Sequence, residues 1–197
     1  MRLILASASP RRAAILSDAG IPFEVLATET DETRRRGESV EAMVLRLAEA
    51  KARAAAAQEQ RAGREERIIV IGADTAVEVD GEALGKPGSA SVAAQMLRRL
   101  SGRDHRVLTG LAVIHLPEMA VRLEVESTTV RFAKLTDEEI EQYAGTREPL
   151  DKAGGYAIQG IAGRYVERIE GCYFNVVGLP LARLYRILRE MDWKPDR

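Results

Sequence analysis

Four consecutive aliphatic residues, Ile68-Ile-Val-Ile71, set the tightest limit on the architecture open to this chain. A strand with no polar position is covered on both faces, as in a sheet sandwiched between helices. The run ends in Gly72-Ala-Asp74-Thr75, read as the end of the strand. Arg2–Ala6 and Phe23–Ala27 read as further strands. Between them a helix opens at Pro10, where a missing N–H costs nothing, carries Ile15 and Leu16 inward, and stops at Gly20. Ser39 caps a long helix to about Ala62, with Val40, Met43, Val44, Leu47 and Ala48 as its apolar stripe. The alanine-rich second half of that helix either projects or packs against small residues.

The middle and end of the chain continue the alternation. Asp80-Gly81 between Val77–Val79 and Ala83-Leu84 predicts a hairpin. A loop, Gly85-Lys86-Pro87-Gly88, leads to a helix over Ala90–Leu100 that ends at Ser101-Gly102. Two long strands follow, about Arg106–His115 and Val121–Lys134. Thr136-Asp-Glu-Glu139 is a capping box opening a helix to about Tyr143. Asp151–Gly171 is rich in glycine, and Pro180 opens the last helix. Interleaved strands and helices give an α/β class, while the adjacent strands of the middle third require some antiparallel pairing. The expectation is a mixed, twisted sheet with flanking helices.

At 197 residues the chain suits one domain, or one domain with two lobes around a cleft. Its 29 basic and 30 acidic residues leave a net charge of −1. No global basic field exists to hold a nucleic-acid polymer or an anionic membrane, so any anion site is local. The lone Cys172 excludes an internal disulfide framework and a multi-cysteine zinc site, and reads as a packing residue. No apolar run approaches a membrane span, and the N-terminal residues pass into a strand without signal-peptide layout. A cytoplasmic location is expected.

The N-terminal strand, turn and helix form the clearest candidate site. Ser7 and Ser9 stand at the turn as hydroxyl donors or caps, and Arg11 and Arg12 occupy the first helical turn. Free N–H groups, the positive end of the helix dipole and two guanidinium groups suit a phosphate. Arginine there opposes the dipole, so a structural role is the less natural explanation. Asp74, at the expected end of a buried strand, is either a cation ligand, a proton acceptor, or a turn Asp bonded to its own backbone. Glu29, Asp31 and Glu32 form an acidic loop within the polar Thr28–Glu38 segment. That loop is either solvated surface or the source of a second carboxylate for Mg2+ or Mn2+.

Lys51, Lys86 and Lys152 each read singly as solvent-facing charges, Lys51 on its helix being the weakest candidate. The glycines around Lys86 and Lys152 let backbone and ammonium approach a phosphate chain. His105 and His115 lack metal-ligand spacing and read as strand residues. G-x-x-x-x-G-K-[ST], G-x-G-x-x-G after a strand, and G-x-S-x-G are all absent. The residues alone give a phosphate-binding α/β domain with carboxylates available to a metal.

Six segments then occur in the order and spacing of the Maf family. They are Ser7-Ala-Ser-Pro-Arg-Arg12, Gly72-Ala-Asp-Thr75, Gly85-Lys-Pro87, Asp151-Lys-Ala-Gly154, Tyr156-Ala-Ile-Gln-Gly160 and Asn175-Val-Val-Gly-Leu-Pro180. The chain resembles that family from Leu3 to the final helix. The resemblance implies a nucleoside triphosphate pyrophosphatase using a divalent cation, Mg2+ or Mn2+, with Co2+ a further candidate. It implies an elongated α/β fold similar to inosine triphosphatases, with a mixed sheet and a deep cleft between two lobes of one domain over residues 1–197. Its partners would be a small nucleoside triphosphate and, as the family suggests, a second copy in a homodimer.

For that reaction, water is expected to attack the α-phosphorus. Asp74 is the expected catalytic residue, as general base or as holder of the metal, and the acidic loop offers Glu32 as the second metal carboxylate. Ser7, Arg11, Arg12, Lys51, Lys86 and Lys152 would surround the triphosphate. Arg11, Thr75 and Gln159 resemble the branch that prefers dTTP and UTP; the branch acting on 7-methyl-GTP tends to carry a bulky aromatic, Gln and Glu there. Gln159 offers the donor and acceptor that a pyrimidine edge demands. Gly155 and Cys172 depart from the Ala and Ser common in relatives. The alternatives are the same reaction on 7-methyl-GTP, or a non-catalytic nucleotide-binding regulator of cell division, since the family is also linked with septum formation.

Overall fold

In the computed structural model, which describes residues 1–63 and 66–194, the apolar run at 68–71 is the first third of a twelve-residue strand. The elements in chain order begin with β1 (Arg2–Leu5), α1 (Pro10–Asp18), β2 (Glu24–Val25), α2 (Val40–Arg61), β3 (Ile68–Val79) and β4 (Glu82–Leu84). They continue with α3 (Ala90–Leu100), β5 (Asp104–Leu116), β6 (Ala120–Phe132), α4 (Asp137–Ala144), β7 (Val166–Glu170), α5 (Tyr173–Val177) and α6 (Leu181–Glu190). Short 3-10 turns occupy Glu148–Asp151, Ala153–Gly155 and Ile161–Tyr165.

The seven-stranded sheet has the order β2-β1-β3-β5-β6-β7, with β4 paired to β3. β1 lies parallel to β2 and β3, whereas β4 runs antiparallel to β3 and β7 antiparallel to β6. The sheet is therefore mixed, as the sequence predicts. Local signals account for many boundaries. The Ser39 and Ser89 hydroxyls cap α2 and α3, and Thr136 with Glu139 forms a reciprocal capping box on α4. Asp80 and Gly81 both adopt positive φ, 56° and 77°, as a tight two-residue hairpin requires.

The strand does not end at Gly72-Ala-Asp74-Thr75 as expected; these residues lie inside β3. Gly72 marks a close approach instead. A Cβ at 72 would stand 2.2 Å from the Ala48 carbonyl oxygen and 2.9 Å from the Ala52 Cβ, both on α2. Gly110 on β5 serves the same purpose, since a Cβ there would stand 2.2 Å from the Val44 carbonyl oxygen. Glycine inside a strand is the only residue that lets a helix backbone come this near. The alanine-rich half of α2 follows the same logic: Ala48, Ala52, Ala55 and Ala56 are buried with Ile4, Ile68, Val70, Ala112 and Ile114.

One further expectation is corrected: β2 is shorter than Phe23–Ala27. Two elements went unread. The glycine-rich segment Asp151–Gly171 contains β7, an edge strand held by backbone bonds to β6 and lacking a continuous apolar face. The short α5 carried no periodic signal long enough to announce it.

The chain groups into two compact units. Met1–Asp74, Thr109–Glu126 and Gly178–Arg197 make the first, and Thr75–Leu108 and Ser127–Val177 the second, so β3, β5 and β6 contribute to both. The second unit has its own core, in which Leu97 and Leu100 of α3 and Tyr143 of α4 pack with Val77, Val107, Phe132 and Tyr156. No described helix is long and apolar enough to cross a membrane.

Candidate active site

Within the first unit, β1 delivers Ser7 to the entrance of α1. The Ser7 hydroxyl oxygen accepts from the Ser9 backbone N–H at 3.2 Å and from Arg12 Nη1 at 3.0 Å. Arg12 Nε donates to the Gly178 carbonyl at 2.7 Å. Pro10 stands in the first turn, and the Ser9 hydroxyl makes no cap bond to the helix. Arg12 is only 9 % exposed, and burial pushes its guanidinium below the ordinary value while Asp74 opposes that shift and Arg11 adds to it. Arginine does not give up its proton in a protein. A desolvated guanidinium beside an uncapped helix start is therefore a place where an anion gains more than it would at an open surface.

The contact between α2 and β3 sets the second cluster. Lys51 follows Ala48 by one helical turn, and Asp74 follows Gly72 by two strand positions, so the close approach of Ala48 to Gly72 brings them together. Lys51 Nζ lies 2.6 Å from Asp74 Oδ1 and 2.7 Å from Glu32 Oε1. The Lys51 and Asp74 side chains are 11 % and 14 % exposed, and that of Glu32 55 %.

The loop that carries Glu32 is braced onto α2. The Thr28 hydroxyl donates to the Lys51 carbonyl at 3.4 Å. Arg46 donates to both Glu38 carboxylate oxygens, at 2.6 and 2.8 Å, and to the Thr33 carbonyl at 3.1 Å. These Arg46 bonds are the main reason that the Glu38 carboxyl is lowered to about 2. Asp31 accepts from the Thr33 N–H at 2.9 Å and does not join Glu32 at Lys51.

Among the described residues, no three His, Cys, Asp or Glu side chains converge as a metal site. Two carboxylates, Asp74 and Glu32, do converge on one cationic nitrogen. That donor set fits Mg2+ or Mn2+, which take oxygen ligands, commonly use one or two carboxylates, and complete their shells with water and substrate phosphate.

The second unit carries the remaining candidates. The Gly154 N–H donates to the Gly85 carbonyl at 3.1 Å, tying the loop of Lys152 to the loop of Lys86. Gly154 has φ +70°, and a Cβ there would meet Val77 of β3 at 2.8 Å. The Lys152 ammonium pairs with Asp151. Lys86 and Gln159 are exposed, and Thr75 is half-buried in β3.

A family model described as Maf-like protein matches residues 2–191. The chain belongs to the Maf family. The dTTP/UTP pyrophosphatase of Caldicellulosiruptor bescii is 44 % identical over 192 residues, covering 98 % of this chain and 96 % of that one. The dTTP/UTP pyrophosphatase of Symbiobacterium thermophilum is 48 % identical over 192 residues, covering 98 % and 95 %. In fold the chain is similar to the Ham1 protein of Staphylococcus aureus, with a TM-score of 0.51 at 15 % identity, over 97 % of this chain and all of that one.

In this Maf-family chain the structure gathers Ser7 with Arg12, and Glu32 with Lys51 and Asp74, while Arg11 stands half-buried in the first turn of α1. Several readings change. Lys51 is not a solvent-facing charge; its partner Asp74 lies 23 residues away, so its own neighbours give no hint of it. Asp74 sits inside β3 rather than at the strand's end, and its ion pair with Lys51 replaces the turn-Asp alternative. Arg12 does carry a structural bond, to Gly178 ahead of α6, in addition to its place at the helix entrance.

Other readings stand. His105 and His115 are buried β5 residues. Cys172 is half-buried, and both its backbone N–H and carbonyl bond to the Thr128 hydroxyl. Sequence reasoning missed Arg46 and Glu38, the brace of the Glu32 loop. It also quoted Gly178 only within a motif, with no role. None of these has a local signal, because each acts through a partner set by the tertiary fold.

Proposed function

We propose that this protein hydrolyses nucleoside triphosphates, dTTP and UTP foremost, to the monophosphate and pyrophosphate by attack of water on the α-phosphorus. The observation that carries the reading is the meeting of Asp74 and Glu32 on Lys51 Nζ, in the unit that also holds the buried Ser7–Arg12 pair. The names of the relatives, dTTP/UTP pyrophosphatases across nearly the whole chain, support the substrate.

Asp74 accepts the proton of the attacking water through a carboxylate that Lys51 keeps oriented. Asp74 and Glu32 are also the residues that would hold a divalent cation, which when bound supplies charge shielding and lowers the pKa of water. Ser7, Arg11, Arg12, Lys51 and the N–H groups of α1 stabilise negative charge as pyrophosphate departs. Lys86 and Lys152 extend the contacts to phosphate. Thr75 and Gln159, with Arg11, select the base, the Gln159 amide supplying both a donor and an acceptor.

The test is pyrophosphate release by the purified protein from dTTP, UTP, CTP, GTP and 7-methyl-GTP, with Mg2+, Mn2+ and Co2+ in turn. Metal-dependent release, fastest from dTTP and UTP, is expected. Tight nucleotide binding without product under every metal would overturn the reading.

A further inference from the structure

Gln159 lies in a short segment clamped at both ends. At its C-terminal end Glu148 Oε2 accepts the Ile161 N–H at 2.9 Å, and Oε1 accepts the Ala162 N–H at 3.3 Å and the Tyr143 hydroxyl at 2.9 Å. This requires glycine at 160, because a Cβ there would lie 2.4 Å from the Glu148 carboxylate. At its N-terminal end the buried Tyr156 places its hydroxyl 2.7 Å from His105 Nε2. The Tyr156 ring stands edge-on to Phe132 and His105, with centroids 4.8 and 5.4 Å away.

Between the clamps, the Gly160 N–H donates to the Ala157 carbonyl and the Gly163 N–H to the Gly160 carbonyl, which leaves the segment little conformational freedom. The Gln159 side chain takes no part in this scaffold: it is exposed, and among the described residues its amide bonds to none. A recognition amide on a loose loop must give up entropy each time it binds, whereas one on a pinned segment does not.

We propose that Glu148 and the His105–Tyr156 pair are positioning residues for base selection, fixing residues 156–162 so that the Gln159 amide is presented in one orientation. The inference rests on the reading of Gln159 as the group that meets the base. All of these residues belong to one compact unit, so the clamp is complete within it. Replacing Glu148 by Gln keeps size but turns one acceptor into an N–H donor facing backbone N–H groups, which leaves them unpaired. Replacing Tyr156 by Phe keeps the ring packing and deletes only the bond to His105.

The experiment measures kcat and KM for dTTP, UTP and GTP in the full chain carrying Glu148→Gln, Tyr156→Phe, Gln159→Ala and the two double combinations with Gln159→Ala. Glu148→Gln is expected to raise KM for dTTP and UTP about tenfold while kcat changes far less, as suits loss of one bond to a charged acceptor. The preference over GTP narrows by the same factor. In the Gln159→Ala background the same change adds less than about twofold, because groups acting as one unit are not additive.

Full additivity, or an equal loss of kcat for every nucleotide with selectivity intact, would overturn the positioning role. If Gln159→Ala alone leaves selectivity unchanged, the reading of Gln159 itself fails and the proposal falls with it. That result is distinct from additivity. Should Glu148→Gln fail to fold, Tyr156→Phe makes the same comparison.

Discussion

Helix α2 touches β3 backbone to backbone at Ala48 and Gly72, where a Cβ on residue 72 would stand 2.2 Å from the Ala48 carbonyl oxygen. Gly72→Ala must therefore move the helix or the strand. We expect a loss of about 1–3 kcal/mol or more in urea unfolding, the usual range for overpacking a core. Turnover should fall further than stability explains, since the same shift separates Lys51 from Asp74. A variant of unchanged unfolding midpoint would show that this contact gives way easily.

Asp74→Asn keeps the shape of the side chain and removes its charge. Pyrophosphate release should drop at least about 10²-fold if the carboxylate takes the proton. The thermal unfolding profile should stay cooperative. Turnover close to that of the parent protein would remove Asp74 from the chemistry.

Glu32 is more than half exposed and sits on a loop, so Glu32→Gln should leave folding intact. Because cation affinity follows the number of charged oxygen donors, the Mn2+ concentration for half-maximal activity should rise about tenfold or more. An unchanged Mn2+ requirement would show that Glu32 is not a cation ligand.

Burial lowers the His105 imidazole to about 4 from an ordinary 6.5, with Asp104 opposing the shift. Between those values the unfolded chain binds more protons than the folded one, so stability rises with pH and is lost as pH falls through that window. The loss attributable to His105 should be about 2 kcal/mol at pH 5 relative to pH 7. His105→Gln, which cannot titrate, should flatten that part of the profile. Glu38, lowered to about 2 from 4.5, adds acid sensitivity only below its ordinary value, so the two are separable.

Much of the fold is legible because its signals are local. The Thr136–Glu139 capping box, the Asp80-Gly81 hairpin and the Ser39 cap each act within a few residues, and each appears where expected. Gly72 is ambiguous in sequence for a physical reason: glycine suits both a strand end and a close backbone contact, and the choice is made by a helix passing over it. Lys51 has no local signal for a related reason, its carboxylate partners lying on a distant strand and a loop. Of the six ordered motifs, Gly72-Ala-Asp-Thr75 contains Asp74, whereas Lys51 and Glu32 lie outside all six. The motifs say nothing of Glu148 or Arg46, whose significance lies in the backbone groups they hold.

At Ala48, Ala52 and Gly72, helix α2 meets β3 through methyl groups and bare backbone, with no flexible side-chain end at that contact to yield when something grows. Any enlargement at 48, 52 or 72 is therefore transmitted as rigid displacement to the lysine and aspartate just beyond. If Asp74 acts as proposed, tolerance to change along that seam is set by turnover as well as by folding. Efforts to raise the melting temperature are better directed away from that contact, so that the proposed catalytic carboxylate keeps its place.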